Sequence, residues 1–464
     1  METGKLKYIY LLGAGGIGMS ALGRYFLNQG SVVAGYDKTR TPLTDELIAE
    51  GLKISFDDSI DTLPDFIKTG PSAEKLIIYT PAVPADSVQL NFIIEQGFKP
   101  VKRANVLGMI ASAHKTIAVA GTHGKTTTST LIAHVLSYAG FNPVAFLGGI
   151  SVNYSSNYLK GSADSILVAE ADEFDRSFLT LNPDTGIITS TDADHLDIYG
   201  NPDALIQSFS DFAKSVKRKL ILKSGLPLSK QLYSTATTYH TSFEADVMLE
   251  SCRIESDRYT FSIRLGNKII ENITLGIPGY HNVENALAAI AIAIDLGIPE
   301  NTIRKALETF QGVKRRFEYI IRNKNLVFID DYAHHPAELK AFIGSVKEMY
   351  SNKKITGLFQ PHLFSRTRDF LDAFADSLSM LDEVYLMEIY PAREKPIPGI
   401  TSSALLERIN HSSARLVDAE EFLKIVSQNQ PEVLLTMGAG DIDRIVKPLK
   451  DLLMVKTENY ESQS

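Results

Sequence analysis

Residues 116–128, TIAVAGTHGKTTT, decide the fold of this chain. The β-branched run from Thr116 to Ala120 reads as a buried strand that breaks into a glycine turn, after which Gly124-Lys125-Thr126 opens a helix. A strand ending this way gathers several backbone N–H groups at the positive end of a helix, and an anion is the natural guest. Lys125 adds a mobile charge for the outer phosphates of a nucleoside triphosphate, and the Thr126 hydroxyl can join the shell of a Mg²⁺ ion. The loop itself runs Gly121, Thr122, His123, Gly124, Lys125, Thr126, Thr127. It is shorter than the general G-x-x-x-x-G-K-[ST] pattern, because Val119 stands where that pattern has its first glycine.

Working outward, SILVAEADE (165–173) and TGIITSTDADH (185–195) are apolar runs that end in acidic residues, as strands do when their carboxyl ends face a ligand crevice. Between about 238 and 279 the pattern changes: Tyr259, Phe261, Ile263 and Leu265 alternate with polar residues, and Gly266-Asn267 suits a tight hairpin, so a small antiparallel sheet is expected there. A small-residue helix follows from 283, preceded by His281 and Asn282. Upstream, LKYIYLLG, SVVAGYD and KLIIYTPA alternate with helical stretches, one of them with an apolar face at Met19, Leu22, Phe26 and Leu27. Downstream, NLVFIDD, KITGLFQ, EVYLMEIY and EVLLTMGAGD do the same from near Arg315. Alternation of strand and helix predicts parallel, doubly wound sheets, here in three α/β units in series.

Composition narrows the classes. At 464 residues the chain has room for about three domains, and 44% hydrophobic with 22% charged residues is ordinary globular usage. A formal net charge of −8 argues against a general nucleic-acid or membrane-surface binder. The single cysteine, Cys252, excludes an internal disulfide and a cysteine-based zinc site. No apolar run approaches the length of a membrane span, and the N-terminus enters a strand without a signal-peptide pattern, so a cytoplasmic location is expected.

Several further stretches carry chemistry. GAGGIG places Gly13, Gly15 and Gly18 after a strand and before a helix, with Asp37 at the end of the next strand. This is a dinucleotide signature when read alone, but its physics asks only for a diphosphate at a helix N-terminus, and a UDP-sugar has one too. Glu170 and Asp172 end the SILVAEAD strand, where a carboxylate facing the phosphate loop would suit Mg²⁺. His195 lies among Asp192, Asp194 and Asp197, as a capped histidine or as part of a second divalent site. His334 and His335 precede Pro336 after Asp330 and Asp331, and are candidates for a carboxylate anchor, metal site or general base. His362, Arg366 and Arg368 follow another strand, and Arg315 and Arg316 stand at the junction of the second and third units.

Taken together, GAGGIGMS, AGTHGKTTT, EADE, DADHLDIYG, PGYHNVENALAA, GVKRRFE, DDYAHHPAE, FQPHLFSRTRD, IYPAREKPIPGITS and MGAGDI resemble, in this order, the motifs of the Mur ligases. The resemblance spans nearly the whole chain, and GVKRRFE, DDYAHHP and FQPHLFSRT point to the alanine-adding members. It implies a Rossmann-like UDP-sugar-binding domain (1–113), a P-loop central α/β domain with a small antiparallel sheet (114–314) and a Rossmann-like C-terminal amino-acid-binding domain (315–464). It also implies an ATP-dependent ligase of peptidoglycan precursor synthesis. This enzyme would join L-alanine to the lactoyl carboxylate of UDP-N-acetylmuramate through an acyl phosphate, as a monomer or homodimer and with no nucleic-acid or membrane partner.

Roles follow as implications of the resemblance. Gly13, Ala14, Gly15, Gly16, Ile17, Gly18, Ser20 and Asp37 would bind the UDP-sugar, which settles that site against nicotinamide. Residues Gly121 to Thr127 would hold the ATP phosphates, with His281 and Asn282 near the adenine, Asp331 near the ribose and Arg316 at a phosphate. Thr126, Glu170 and His195 would bind Mg²⁺ (or Mn²⁺); Lys125, Glu170, His195, His335 and Arg366 would be catalytic. His334, His335 and Arg366 would receive alanine. Sister ligases use a carbamylated lysine shortly after the DH motif, and the corresponding DALIQSFSDF has none.

Overall fold

The structure, a computed structural model, describes residues 5–162, 164–192, 199–255, 258–392, 394–410 and 413–461. Their strands form three sheets. The first joins β1 (Tyr8–Leu12), β2 (Val32–Tyr36), β3 (Lys53–Ser55), β4 (Lys75–Tyr79) and β5 (Val101–Lys102), all parallel, in the order β3-β2-β1-β4-β5.

The second sheet is built from β6 (Thr116–Ala120), β7 (Val144–Ser151), β8 (Ser156–Leu159), β9 (Leu167–Ala171), β10 (Thr185–Ile188), β11 (Lys219–Lys223), β12 (Thr237–His240), β13 (Val247–Glu255), β14 (Arg258–Leu265) and β15 (Lys268–Thr274). Their order is β15-β14-β13-β12-β11-β10-β6-β9-β7-β8. The strand before the phosphate loop therefore lies between β9 and β10, the two runs that end in acidic motifs. β14 and β15 meet through the expected Gly266-Asn267 turn, with Gly266 at φ +54°, and extend this sheet at one edge.

The third sheet comprises β16 (Glu318–Arg322), β17 (Val327–Asp331), β18 (Ile355–Phe359), β19 (Glu383–Leu386), β20 (Ala414–Leu416) and β21 (Val433–Met437), in the order β16-β17-β21-β18-β19-β20. Only β16 runs antiparallel to its neighbour here.

The chain divides into two compact units. One holds Met1–Cys252, Phe261–Leu275 and Glu284–Gln311; the other holds Arg253–Thr260, Gly276–Val283 and Gly312–Ser464. In the first, a continuous apolar core runs from Leu11 and Phe26 through Tyr25, Phe146 and Tyr158 to Ile188 and Phe212. Removing this much apolar surface from water fixes the helix Ile17–Asn28, and with it the first sheet, against β7 and β8. In the other unit, alternate residues of the third sheet feed two cores, Val327, Ile329 and Leu435 on one face and Phe328, Leu358 and Leu434 on the other. That period of two is the mark of a sheet covered on both sides. No helix among the described residues is long and apolar enough to cross a membrane.

Candidate active site

Every residue of β6 is buried, and the chain leaves it through Gly121 at φ +136°. Gly124, at φ +80°, caps the helix Lys125–Tyr138. Both positions need glycine twice over, for the backbone angle and for space: a Cβ on Gly121 would strike Thr189 and Ser190, and one on Gly124 would meet the Asn285 side chain. The residues just past β10 hold the loop in shape. Thr189 Oγ1 donates to the His123 carbonyl (2.5 Å), while Ser190 Oγ accepts from the His123 N–H (2.7 Å) and shares a hydrogen with Thr122 Oγ1 (2.9 Å). A turn so fixed is preorganised for an anion.

Lys125 Nζ donates to the Gly121 carbonyl at 2.7 Å and pairs with Glu173 at 2.8 Å, whose side chain is 1% exposed. Burial pulls the ammonium pKa down, but Glu173, Asp172 and Glu170 together push it up by more, so Lys125 stays charged. One turn on, Thr126 Oγ1 donates to Glu170 Oε2 at 2.8 Å. Gly148 of β7 makes room for that carboxylate, since a Cβ there would overlap it. A hydroxyl and a carboxylate in contact, with space beside them, form an oxygen donor set that fits Mg²⁺. His195, with Asp194 and Asp197, lies outside the described residues.

A cavity of about 260 Å³ runs from Gly16, Ile17 and Gly18 to Gly148, Glu170 and Asp172. One end is the N-terminus of the helix Ile17–Asn28, whose cap residue Gly16 has no side chain to cover the first N–H groups. Gly13, at φ +86°, packs against Thr80. Asp37 shapes this end, with Oδ2 accepting from the Gly15 N–H (2.7 Å) and Oδ1 from the Thr39 N–H (3.0 Å). Arg103 lies hard against Gly18 and 3.8 Å from Asp172. Ser20 is away from the cavity: it is fully buried, donates to the Ile17 carbonyl and accepts from Asn157 Nδ2.

The other unit gathers the downstream candidates. His281 and Asn282 lie inside the first turn of the helix Tyr280–Asp295 rather than before it. His281 Nδ1 is buried with no hydrogen-bond partner among the described residues, and burial followed by Arg316 lowers its pKa to about 4. Asp331 accepts from the N–H groups of Phe317 and Ala333, both at 2.7 Å, and burial pushes its carboxyl up to about 7. Arg315 and Arg316 both lie over the Tyr332 ring, at 5.2 and 5.3 Å. Arg316 also faces Glu338 at 3.9 Å.

The paired histidines separate. His335 caps the helix Pro336–Met349, accepting at Nδ1 from the Ala337 N–H, and its ring meets the Phe370 ring edge-on at 4.7 Å. His334 turns the other way, 2.9 Å from the Tyr332 carbonyl, 3.3 Å from Glu338 and 6.2 Å, ring to ring, from His362. Arg366 Nη1 lies 3.4 Å from His362 Nδ1, so His334, His362 and Arg366 make one cluster. Burial lowers both imidazoles to about 4, helped by Arg366. Leu363, between His362 and Arg366, holds φ +73°.

The motifs EADE and DDYAHHPAE contain Glu173 and Glu338, to which sequence reasoning gave no role. It passed over Gly148 and Arg103 altogether. The glycine pair in VAFLGGIS was the available signal for Gly148, because glycine inside a strand marks a close approach.

Residues 8–115 match the Mur ligase family catalytic domain, 119–293 the Mur ligase middle domain and 315–440 the Mur ligase glutamate ligase domain. The UDP-N-acetylmuramate–L-alanine ligase of Christiangramia forsetii is 46% identical over 455 residues, covering 98% of this chain and 99% of its own. That of Porphyromonas gingivalis is 46% identical over 454 residues, 97% and 99% respectively. Among solved structures, the UDP-N-acetylmuramate–alanine ligase MurC of Thermotoga maritima superposes with a TM-score of 0.81 at 29% identity, over 98% of this chain and 100% of that one. A murein peptide ligase of Psychrobacter arcticus gives 0.71 at 22% identity over 96% and 98%, a likeness of fold alone. With relatives this similar over almost its full length, the chain belongs to the Mur ligase family.

Proposed function

We propose that this chain is an ATP-dependent ligase that joins L-alanine to the lactoyl carboxylate of UDP-N-acetylmuramate in the cytoplasm, as a step of peptidoglycan precursor synthesis. The observation that carries the reading is the cavity that opens at the Gly16–Gly18 helix start and ends at Glu170, beside the phosphate loop. A sugar nucleotide whose diphosphate lies at the helix start would extend its acid toward the group that receives ATP.

In this reading residues 1–113 bind the UDP-sugar, 114–314 bind ATP and 315–464 bind the amino acid. A carboxylate is a poor acyl donor, so it attacks the γ-phosphorus of ATP and becomes an acyl phosphate, with ADP leaving. The N–H groups of the Gly121–Thr127 turn and the Lys125 ammonium hold the phosphates and offset charge that builds during transfer. Thr126 and Glu170 would hold Mg²⁺, which supplies charge neutralisation at the phosphate oxygens. Arg366, with its planar fork, binds the alanine carboxylate, and His281 and Asn282 contact the adenine.

The test is phosphate release from ATP with UDP-N-acetylmuramate and Mg²⁺, comparing L-alanine, a murein tripeptide and no amine. Release that requires alanine, with the matching mass gain on the sugar nucleotide, is expected. Dependence on the tripeptide would move the chain to peptide recycling, and no release with either would leave nucleotide binding alone.

A further inference from the structure

Amide formation needs the amine as a free base, whereas alanine arrives as an ammonium ion. We propose that His334 accepts that proton and that Glu338 is the positioning residue that fixes the His334 ring and faces it with a countercharge. The inference rests on the ligase reading above.

The tautomer follows from the acceptors around the ring. His334 Nδ1 lies 2.9 Å from the Tyr332 carbonyl and 3.3 Å from Glu338 Oε2, and both are acceptors only. Nδ1 therefore carries the hydrogen, and Nε2 is the basic nitrogen. The same Glu338 oxygen accepts the His334 backbone N–H at 3.1 Å, so one carboxylate grips both the main chain and the ring of a single residue. Its other oxygen faces Arg316 at 3.9 Å. His335 is spent differently, with Nδ1 on the Ala337 N–H and its ring on Phe370.

The groups that face His334 divide by sign. Arg366, Arg316 and the neighbouring His362 oppose a positive imidazole, and Glu338 favours one. Without Glu338 a proton on the imidazole would face Arg366 and Arg316 without the carboxylate that touches the ring, and the transfer from the ammonium would be harder. In the step itself, one proton moves from the ammonium nitrogen to Nε2. The nitrogen lone pair then forms the C–N bond to the acyl phosphate carbon. Collapse breaks the C–O bond to phosphate, and the second amine proton leaves with that group.

A glutamate at the third position of a helix can also serve only as a cap. Glu338→Gln separates the two roles, because glutamine keeps an oxygen for the His334 N–H and loses the charge. Two nucleophiles are compared in the full-length enzyme with ATP and UDP-N-acetylmuramate: alanine, and hydroxylamine, which is already a free base at neutral pH. The expected result is that Glu338→Gln and His334→Gln each lower alanine-dependent turnover about 100-fold and leave hydroxamate formation within about threefold of wild type. The alanine rate of both variants should recover as pH rises toward the alanine pKa. Equal losses with both nucleophiles, or undiminished turnover with alanine, would overturn the proposal. Absence of hydroxamate from the wild-type enzyme would instead remove the acyl phosphate, and the ligase reading with it.

Discussion

Lys125 is held by one buried carboxylate, Glu173, and by the Gly121 carbonyl, so its charge is fixed at the phosphate loop before any ligand arrives. Lys125→Ala should lower acyl phosphate formation by about 1,000-fold or more and leave UDP-N-acetylmuramate binding within a few fold. Calorimetric titration of the sugar nucleotide against single-turnover ADP formation measures the two separately, and comparable turnover in the variant would take the loop out of the mechanism. Gly148→Ala acts from across the sheet: the new Cβ has no room beside the Glu170 carboxylate, which must leave its place next to Thr126. ADP formation should fall about 10- to 100-fold, and an unchanged rate would mean that Glu170 does not act from the position seen here. These residues also mark what the sequence could tell. Lys125, Thr126 and Glu170 were legible because local pattern places them, a turn in one case and a strand end in the other. Gly148, Arg103 and Glu173 were not, because their relation to the site depends on β7 lying beside β9 and on the helix Ile17–Asn28 packing against β7 and β8.

At the scale of elements, the helix Ile17–Asn28 must present its N-terminus to the cavity, and a strand of the second sheet holds it there. Asn157 of β8 donates from Nδ2 to the Ile17 carbonyl (2.6 Å) and Ser20 Oγ (2.9 Å), and its Oδ1 accepts from Arg24 Nη1 at 2.5 Å. The Arg24 side chain, 4% exposed, is closed on its other side by Glu50. Asn157→Leu would take one buried partner from the guanidinium, which keeps Glu50, and one from the Ile17 carbonyl, which keeps Ser20, at a cost of about 1–3 kcal/mol. The urea midpoint should drop accordingly, and saturating sugar nucleotide should restore part of it if, as proposed, that ligand binds on the same helix start. A midpoint equal to wild type would make the Asn157 contacts incidental. The strands and helices themselves were readable from period and punctuation, down to the Gly266-Asn267 turn. What period could not supply was the fate of two motif residues. Ser20 turned inward to Asn157 and the Ile17 carbonyl, and His335 became a helix cap while its neighbour joined the cluster, because the His335 ring went to a first-turn N–H with no intrahelical partner.

Over the whole molecule the buried histidines set how stability responds to acid. His134, whose ring nitrogens meet Tyr154 Oη at 3.0 Å and Thr309 Oγ1 at 3.1 Å, belongs to the first unit. His281, His334 and His362 belong to the other. Burial is the leading cause that lowers each to about 4 from an ordinary 6.5. Between those values the unfolded chain binds protons that the folded chain does not, so stability rises with pH through this window and is lost as pH falls from about 6.5 toward 4. On the order of 1–2 kcal/mol per histidine is at stake, given partial solvent access at the cluster. Because buried carboxylates titrate in the same range, and Asp331, pushed up to about 7, contributes with the opposite sign, the total slope alone would not isolate the histidines. His134→Gln does so: glutamine retains a donor and an acceptor for Thr309 and Tyr154 but does not titrate. Urea midpoints for wild type and variant should lie furthest apart at pH 7 and converge toward pH 4.5, with the transition of the first unit moving and that of the other keeping its own acid dependence. Parallel curves from pH 7 to 4.5 would mean that His134 is protonated in the folded protein, and that its place between Tyr154 and Thr309 is not the neutral, buried one.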